Sequence, residues 1–412
     1  MSTTYKTLQG DSYDLVARRV YGTEAEAPRI RKANSGVPEP LPAGVDLITP
    51  TLPGAPSDRY VAMPSEHPDE IAVRIAGERF RFWQSIRVTQ SVDSFDTVEL
   101  TAPFAHDLKG FRETFQPFTY KNMDVTVGGF RLFTGTMVAV RPDITAKRRA
   151  VVASGYALPG VLHDCTPPAS ALPLEFNDQN LRDIAIALAG PFGLSVEFAD
   201  DPGPAFDNDP ALPPGRTVLS FLSALAKQRN LVIGSTPGGA LLFRRPGKAT
   251  APVARLRQGE GPLLSVTPQF RPQAYYSDIT GVEPVFFGLD GDQHPWRNER
   301  LTGVLRPSTF DIGDAEAAAA VAAVESKAGR MFANAVAYSV KVATMRDAAG
   351  NLWAPDTTVT LEAPDAMVYG EYAFTIRSVG ISRSRDKESA ILNLVMPGSL
   401  GGQIPEALPW DD

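Results

Sequence analysis

Short segments of alternating apolar and polar residues dominate the chain between residues 70 and 157. The segments are Ile71–Ile75, Ser85–Val92, Thr97–Thr101, Lys121–Gly129, Arg131–Val140 and Ala150–Tyr156. Alternation with a period of two, in residues that are often β-branched or aromatic, predicts antiparallel strands with one buried face. Several such strands at short spacing predict a small antiparallel β-barrel, closed or nearly closed, over residues 70–157.

A second set of alternating segments predicts another β-barrel over residues 253–396. These segments are Leu263–Phe270, Ala274–Gly281, Val336–Thr344, Thr357–Leu361, Tyr372–Ser382 and Ala390–Met396. An alanine-rich stretch, 314–335, is capped by Asp314 and interrupts them as one long helix. By alternation, the core of this barrel should contain Phe374, Ile376, Val379, Ile391, Leu392 and Val395.

Residues 158–252 lie between the two strand-rich regions and show helical spacing. Leu181, Ile184 and Leu188 form one apolar face, and Asn177 or Asp178 is the expected helix cap. A second helix should follow Thr217, with short apolar runs before and after it as strands. The pattern predicts an inserted α/β domain, so the whole chain is expected to be mainly β with α+β parts.

The first 56 residues read as strand, helix, helix, strand. A Gly10-Asp11-Ser12 turn precedes the first helix, and Pro28 opens the second. Several residues of this βααβ order match the pattern of a LysM module. They are Gly10, Asp11, Tyr21, Gly22, Ile30, Ala33, Asn34, Leu41, Gly44, Leu47 and Pro50. Residues 1–56 therefore resemble a LysM module over nearly its whole length.

The LysM resemblance implies a groove for N-acetylglucosamine polymers, formed by two loops. In this sequence the loops contain Gly10, Asp11, Ser12, Tyr13, Asn34, Ser35, Gly36 and Val37. The alternative is a module used only for assembly, with its groove empty or filled by protein.

Two further stretches have the composition of flexible segments. Residues 57–69 belong to a stretch rich in Pro, Gly, Ser and Asp, which predicts a linker. Residues 397–412 begin with several glycines and predict a flexible C-terminal tail. Because a tryptophan such as Trp410 is costly to leave in water, this tail is expected to dock on a partner protein or on a neighbouring subunit. Its candidate docking residues are Leu400, Ile404, Leu408 and Trp410.

Composition excludes several classes of protein. A chain of 412 residues should form two to four domains. The net charge of −7 argues against a phosphate-binding surface as the main function. The single cysteine, Cys165, excludes an internal disulfide framework. Neither a signal peptide nor a membrane-spanning apolar run is seen, so we expect assembly in a cytoplasm-like compartment.

Catalytic and metal-binding patterns are not found in the sequence. The four histidines are His67, His106, His163 and His294, and none belongs to a zinc-binding pair. His163-Asp164-Cys165 could suggest a thiol nucleophile, but catalytic triads are assembled from residues distant in sequence. We therefore expect no catalytic residues, no metal site, no cofactor and no enzymatic activity.

A second resemblance covers residues 70 to 397. It is carried by Phe82–Val88, Ser91–Phe95, a Pro-Phe segment, Val125–Phe130 and Phe133–Thr136 in that order. The order resembles the baseplate hub proteins of phage tails, in the late control protein D family, which is related to the hub part of type VI secretion spikes. Aromatic residues interleaved with arginine in the same region could instead stack on nucleic-acid bases, but a barrel core explains them better.

The hub resemblance implies a structural protein of the virion, assembled in the host cytoplasm. It implies a homotrimer whose six barrels join a six-fold tail tube, or distal tail protein, to a three-fold central spike. Baseplate wedge proteins would be further partners, and phage DNA would pass through the lumen without specific binding during genome ejection. The alternative is a peptidoglycan-binding or cell-wall lytic protein that acts through the LysM groove.

Overall fold

The computed structural model describes residues 2–7, 10–21, 26–50, 69–146, 149–171, 174–206, 209–247, 250–283, 291–312, 317–384 and 387–411. The protein is mainly β, with 39% strand and 22% helix, which confirms the predicted class. It divides into two compact units. Unit 1 contains Met1–Thr89, Ser94–Ala226 and Ile233–Arg244; unit 2 contains Gln90–Asp93, Lys227–Val232 and Arg245–Asp412.

The N-terminal module in unit 1 has the predicted βααβ order. Its elements are β1 (Ser2–Lys6), α1 (Tyr13–Tyr21), α2 (Ala27–Ala33) and β2 (Asp46–Pro50). β1 and β2 pair antiparallel, with Tyr5 opposite Leu47. A small core includes Val16, Val20 and Ile30. The predicted helix-ending Gly22, almost all of the linker and the Asp314 cap lie outside the described residues.

The first strand-rich region, also in unit 1, forms one antiparallel ladder. Its strands are β3 (Ile71–Ile75), β4 (Glu78–Phe80), β5 (Ser85–Ser91), β6 (Thr97–Pro103), β7 (Asn122–Val127), β8 (Phe130–Ile144) and β9 (Arg149–Ala157). The order is β5-β6-β9-β8-β7-β3-β4, and a short helix, α3 (Lys109–Thr114), connects β6 to β7. The sequence predicts a closed or nearly closed barrel here, and closure is not found, because no ladder of the described residues joins β4 back to β5. With three residues, β4 offers too few backbone groups for a closing seam.

The middle region contains two amphipathic helices and a three-stranded sheet, as the helical spacing predicts. Its elements are α4 (Val161–Asp164), α5 (Leu181–Ala189), β10 (Val196–Phe198), α6 (Val218–Gln228), β11 (Val232–Ser235) and β12 (Leu241–Arg244). β10 pairs parallel with β12, which neighbours β11. The cap of α5 differs from the prediction: the Asn180 side chain accepts a hydrogen bond from the Asp183 N–H at 3.0 Å.

Unit 2 is built on a second ladder. Its elements are β13 (Arg255–Arg257), β14 (Leu263–Phe270), β15 (Asp278–Val282), β16 (Gln293–Arg297), β17 (Pro307–Asp311), α7 (Ala317–Ala335), β18 (Val336–Val342), β19 (Thr358–Ala363), β20 (Val368–Ser384) and β21 (Glu388–Val395). The ladder runs β14-β18-β21-β20, β19 pairs with β20 and β13, and β16-β15-β17 form a separate sheet.

The core of unit 2 contains five of the six residues predicted to fill it. Phe374, Ile376, Val379, Leu392 and Val395 are buried, whereas Ile391 is half-buried. A register shift between Ile376 and Ser378 explains how Ile376 and Val379, three positions apart, share a face. This ladder is also open in the described ranges rather than a closed barrel. Within those ranges, no helix combines the length and apolarity needed to cross a membrane.

Candidate functional site

The two loops predicted to form a groove in the N-terminal module lie side by side. The Tyr13 hydroxyl donates to the main-chain oxygens of Asn34 and Val37, at 3.0 and 2.8 Å. Burial raises the pKa of Tyr13, and the Glu39 carboxylate adds to this effect, while Arg31 opposes it. The tyrosine therefore stays neutral and ties one loop to the other.

Asp11 and Asn34, the most polar of the predicted groove residues, are buried and bonded inside the module. Asp11 accepts a hydrogen bond from the Tyr5 hydroxyl at 3.0 Å. The Asn34 amide donates to the carbonyls of Ile30 and Ile48, and its Oδ1 accepts from the Ile48 N–H. Their side chains therefore hold the fold, and they present little to a ligand.

The accessible part of the groove is smaller than the sequence predicts. Gly10, Ser35 and Gly36 are exposed, and Ser12 and Val37 are half-buried. The Ser12 hydroxyl accepts from the Leu15 N–H at 3.2 Å, as a helix cap does.

An ion pair at this groove was not predicted from the sequence. The Glu39 carboxylate accepts from the Tyr13 N–H at 3.1 Å and from the Arg31 guanidinium at 2.9 Å. The guanidinium carbon lies 5.3 Å from the centre of the Tyr13 ring. Glu39 stands between two prolines in a connecting segment, so only the fold shows its proximity to Tyr13.

The C-terminal segment differs from the predicted flexible tail, because its described residues pack on unit 2. Leu400 is buried against Val92, Ala333 and Val395, and Leu408 is also buried. The glycines allow this close packing: a Cβ added at Gly329 on α7 would overlap the carbonyl of Gly402. Two of the four candidate docking residues are therefore core residues of the chain itself.

The other two candidate docking residues keep exposed surface. Ile404 is 39% exposed, and Trp410 is half-buried with its ring perpendicular to that of Phe270, 5.4 Å between centroids. Trp410 borders an open, largely apolar groove of about 830 Å³ on unit 2. Other residues that line it are Phe270, Tyr275, Arg300, Met367 and Tyr369. Asp411 follows Trp410, and its carboxylate accepts a hydrogen bond from the Arg300 guanidinium at 2.7 Å.

A set of aromatic side chains in unit 1, which we call the aromatic cluster, lies beside β4. Phe80, Phe82, Phe104, Phe111 and Phe115 contact one another in it through their rings, and we count with them the exposed Phe118 and Tyr120, which follow Phe115 in the connection to β7. The sequence predicts that aromatics such as Phe82 and Phe118 pack into a barrel core, yet Phe82 is 72% exposed and Phe118 is 87% exposed. Phe118 and Tyr120 adopt the left-handed backbone region, with φ of 61° and 47°. Such strain in bulky residues is concentrated at functional surfaces.

The geometry of the His163-Asp164-Cys165 stretch is not that of a catalytic triad. His163 Nδ1 lies 3.0 Å from Asp164 Oδ1, but both side chains are exposed. The main-chain N–H of Cys165 donates a hydrogen bond to the Val161 carbonyl. Burial and a hydrogen bond from Tyr156 to Asp164 raise the pKa of that tyrosine, which favours its neutral form. In the part of the chain that the structure describes, no three His, Cys, Asp or Glu side chains are grouped to hold a metal ion.

Two family models match parts of the chain. Residues 159–245 match the second domain of gp44-like baseplate hub proteins, and residues 3–57 match Phage Tail Protein X. A search of curated proteins finds no significant match.

Two solved structures share the fold over most of the chain. The 43 kDa tail protein of prophage MuSo2 from Shewanella oneidensis is 22% identical, with a TM-score of 0.68 over 80% of this chain and 99% of its own. The tail protein from Neisseria meningitidis MC58 is 19% identical, with a TM-score of 0.67 over 82% of this chain and 100% of its own. The fold is therefore that of phage tail proteins, and the matches support a structural role in a tail.

Proposed function

We propose that this chain is the structural hub of a phage-tail baseplate, or of a phage-tail-like particle. The observation that carries the proposal is the match of residues 159–245 to a hub-protein domain. The N-terminal match to a tail protein and the fold shared with two other tail proteins agree with it. In this role the protein acts through its shape and its contacts, and it is not an enzyme.

In the proposed assembly, three copies surround the tail axis. Each copy contributes two strand-rich ladders, one in each unit, so three copies present six. A ring of this kind matches the six-fold symmetry of a tail tube and the three-fold symmetry of a central spike. The partners would be the tube or distal tail protein, the spike and the wedge proteins.

The net charge of −7 suits a ring through which DNA passes, because an acidic lumen repels a polyanion. The protein would be assembled in the host cytoplasm and kept in the virion. Of the four predicted docking residues in the C-terminal segment, Ile404 and Trp410 remain partly exposed and available for spike docking.

The LysM-like module is proposed to connect the hub to neighbouring baseplate proteins. The burial of Asp11 and Asn34 leaves a groove rim of Gly10, Ser35 and Gly36, with few polar side chains to select a sugar. This disfavours the alternative of a cell-wall protein that acts through the groove.

Electron cryo-microscopy of purified tails tests the proposed function. We expect three copies of the chain around the axis, between the tube and the spike. A single copy in the tail, or a position on the fibres or sheath, would contradict it.

A pulldown on purified peptidoglycan tests the alternative. We expect no specific retention of the full chain. Glycan retention that is lost when Ser35 and Gly36 are replaced, in a folded protein, would favour wall binding.

A further inference from the structure

The terminal strand of the unit 2 ladder, β14, has an open hydrogen-bonding edge. Among the described residues it pairs only with β18. Just past the strand, the Arg271 N–H donates to the Ala335 carbonyl at 2.8 Å. Because backbone direction alternates along an antiparallel strand, the N–H groups of Val266 and Phe270 point away from β18. Pro268 lies between them and has no N–H, as is typical of an edge strand.

The same strand has a partly exposed apolar face. Val266 and Pro268 are half-buried and Phe270 is 41% exposed, while Ser265 and Thr267 on the other face are exposed and polar. Leu264, at the register shift where β14 begins, adds another apolar side chain that is 58% exposed. This alternation is the pattern of a strand with one buried face, and the single chain covers that face only in part, with Tyr338 and Trp410 against Phe270.

The unit 1 ladder also ends beside exposed apolar residues. Its terminal strand is β4, which carries Phe80, and the aromatic cluster lies against it. The exposed members, Phe82, Phe118 and Tyr120, are 72%, 87% and 61% exposed. Aromatic side chains bury about 150–250 Å² each, so these three supply several hundred Å² of the roughly 800 Å² on one side of a stable interface.

We propose that β14 of one copy docks against the aromatic cluster and β4 of a second copy. This contact rests on the proposed ring and identifies the surfaces that would close it. Two different surfaces on one chain give a head-to-tail contact, and repetition of such a contact closes a ring of three when each copy is rotated by a third of a turn from the last. A two-fold contact between two aromatic clusters is disfavoured, because the exposed Arg81 beside Phe82 would face its own copy.

The uncharged sequence of β14 suits it to the mixed charges at β4, where Glu78 precedes Arg79 and Arg79 pairs with Glu70. No charged residue lies between Gly261 and Phe270, so the second copy's arginines meet no like charge along the strand. The open N–H groups of Val266 and Phe270 would be covered on assembly, and the apolar face would leave water together with the aromatic cluster.

The test uses the full chain and measures its mass in solution by light scattering over a range of concentrations. We expect wild type to form trimers. Val266→Glu on the β14 face and Phe118→Glu in the aromatic cluster should each weaken self-association by at least roughly tenfold, because a carboxylate would be buried against an apolar surface. Thr267→Glu, on the polar face of the same strand, should leave the trimer unchanged. Leu264→Glu, at a more exposed position, replaces Val266→Glu if circular dichroism shows that the latter is unfolded.

Mixing the two variants distinguishes a head-to-tail contact from a two-fold one. A 1:1 mixture of Val266→Glu and Phe118→Glu contains one intact pair of surfaces, so it should give heterodimers that grow no further. A Val266→Glu variant that still forms trimers would overturn the contact and leave the proposed ring standing. A wild type that is monomeric at every concentration would overturn the contact as a self-sufficient interface. The proposed ring itself would still be tested by the symmetry of the chain in purified tails.

Discussion

The two ends of the chain each contain residues that the sequence predicts to bind a partner, and the structure buries several of them. In the N-terminal module, the polar candidates Asp11 and Asn34 are buried and hydrogen-bonded. In the C-terminal segment, the apolar candidates Leu400 and Leu408 are buried. In both regions, residues that look suited to a ligand instead stabilise the fold by packing and hydrogen bonding inside the chain.

The ends differ in what they leave for a partner. At the N-terminal groove, the exposed residues are mainly small, such as Ser35 and Gly36. At the C-terminal segment, Trp410 and Phe270 border an open apolar groove. Apolar aromatic surface is what protein interfaces bury at their centres, so the C-terminal region is better suited to a protein partner.

The largest expected effect is the loss of packing around Leu400. Leu400→Ala would leave a cavity among Val92, Ala333 and Val395, and should lower the free energy of unfolding of unit 2 by about 2–4 kcal/mol. Amide hydrogen exchange of unit 2 peptides measures this loss. Ile404→Ala, at an exposed position of the same segment, should cost under about 1 kcal/mol. Equal costs would mean that the segment is flexible, as its glycines suggest.

The next effect concerns Asn34 and sharpens the contrast between fold and groove. Asn34→Ala removes hydrogen bonds to Ile30 and to both backbone groups of Ile48, and should destabilise the N-terminal module by about 2–3 kcal/mol. Faster exchange of the Ile48 amide is the measurement. Ser35→Ala, next to it but exposed, should change stability by less than about 0.5 kcal/mol. If Asn34→Ala left the module fully stable but abolished retention of the chain on peptidoglycan, Asn34 would be a ligand-binding residue.

Periodicity predicts the elements of this protein well because each strand or helix buries one face. The apolar face of α5 and the βααβ order of residues 2–50 follow from local spacing alone. Closure is different, because it depends on how many backbone groups two distant strand edges can pair. The alternation of residues 70–157 does not show that β4 has only three residues and so offers few backbone groups for pairing.

Burial of individual candidates is also poorly predicted from sequence. Gly398, Gly401 and Gly402 have the composition of a flexible linker, but Gly398 and Gly402 adopt positive φ in a tight turn. Conversely, Phe82 and Phe118 look like core residues and lie on the surface. In each case the outcome depends on contacts with residues far away in the sequence, which local patterns do not contain.

The smallest effect concerns the end of the C-terminal segment and its response to pH. The Leu408 N–H and then the Arg300 guanidinium hold the pKa of Asp411 below its usual value of about 3.9. A carboxyl whose pKa is lower in the folded state stabilises that state above its unfolded pKa, and this contribution is lost as the pH falls through the folded value. Because Asp411 is 34% exposed, the contribution should be about 0.5 kcal/mol or less.

Trp410 fluorescence reports on this contact, since its ring packs on Phe270 next to Asp411. We expect the emission of wild type to shift towards that of a solvated tryptophan as the pH falls below about 4, and Asp411→Asn to show part of the shift already at pH 7. Glu406→Gln is the matched control, because Glu406 contributes its main-chain carbonyl to Arg300. If Glu406→Gln shifted the emission as Asp411→Asn does, the loss of any nearby negative charge, and not of the Asp411–Arg300 contact, would explain the shift. An unchanged Asp411→Asn spectrum would mean that packing of Leu408 and Trp410 alone holds the segment in place.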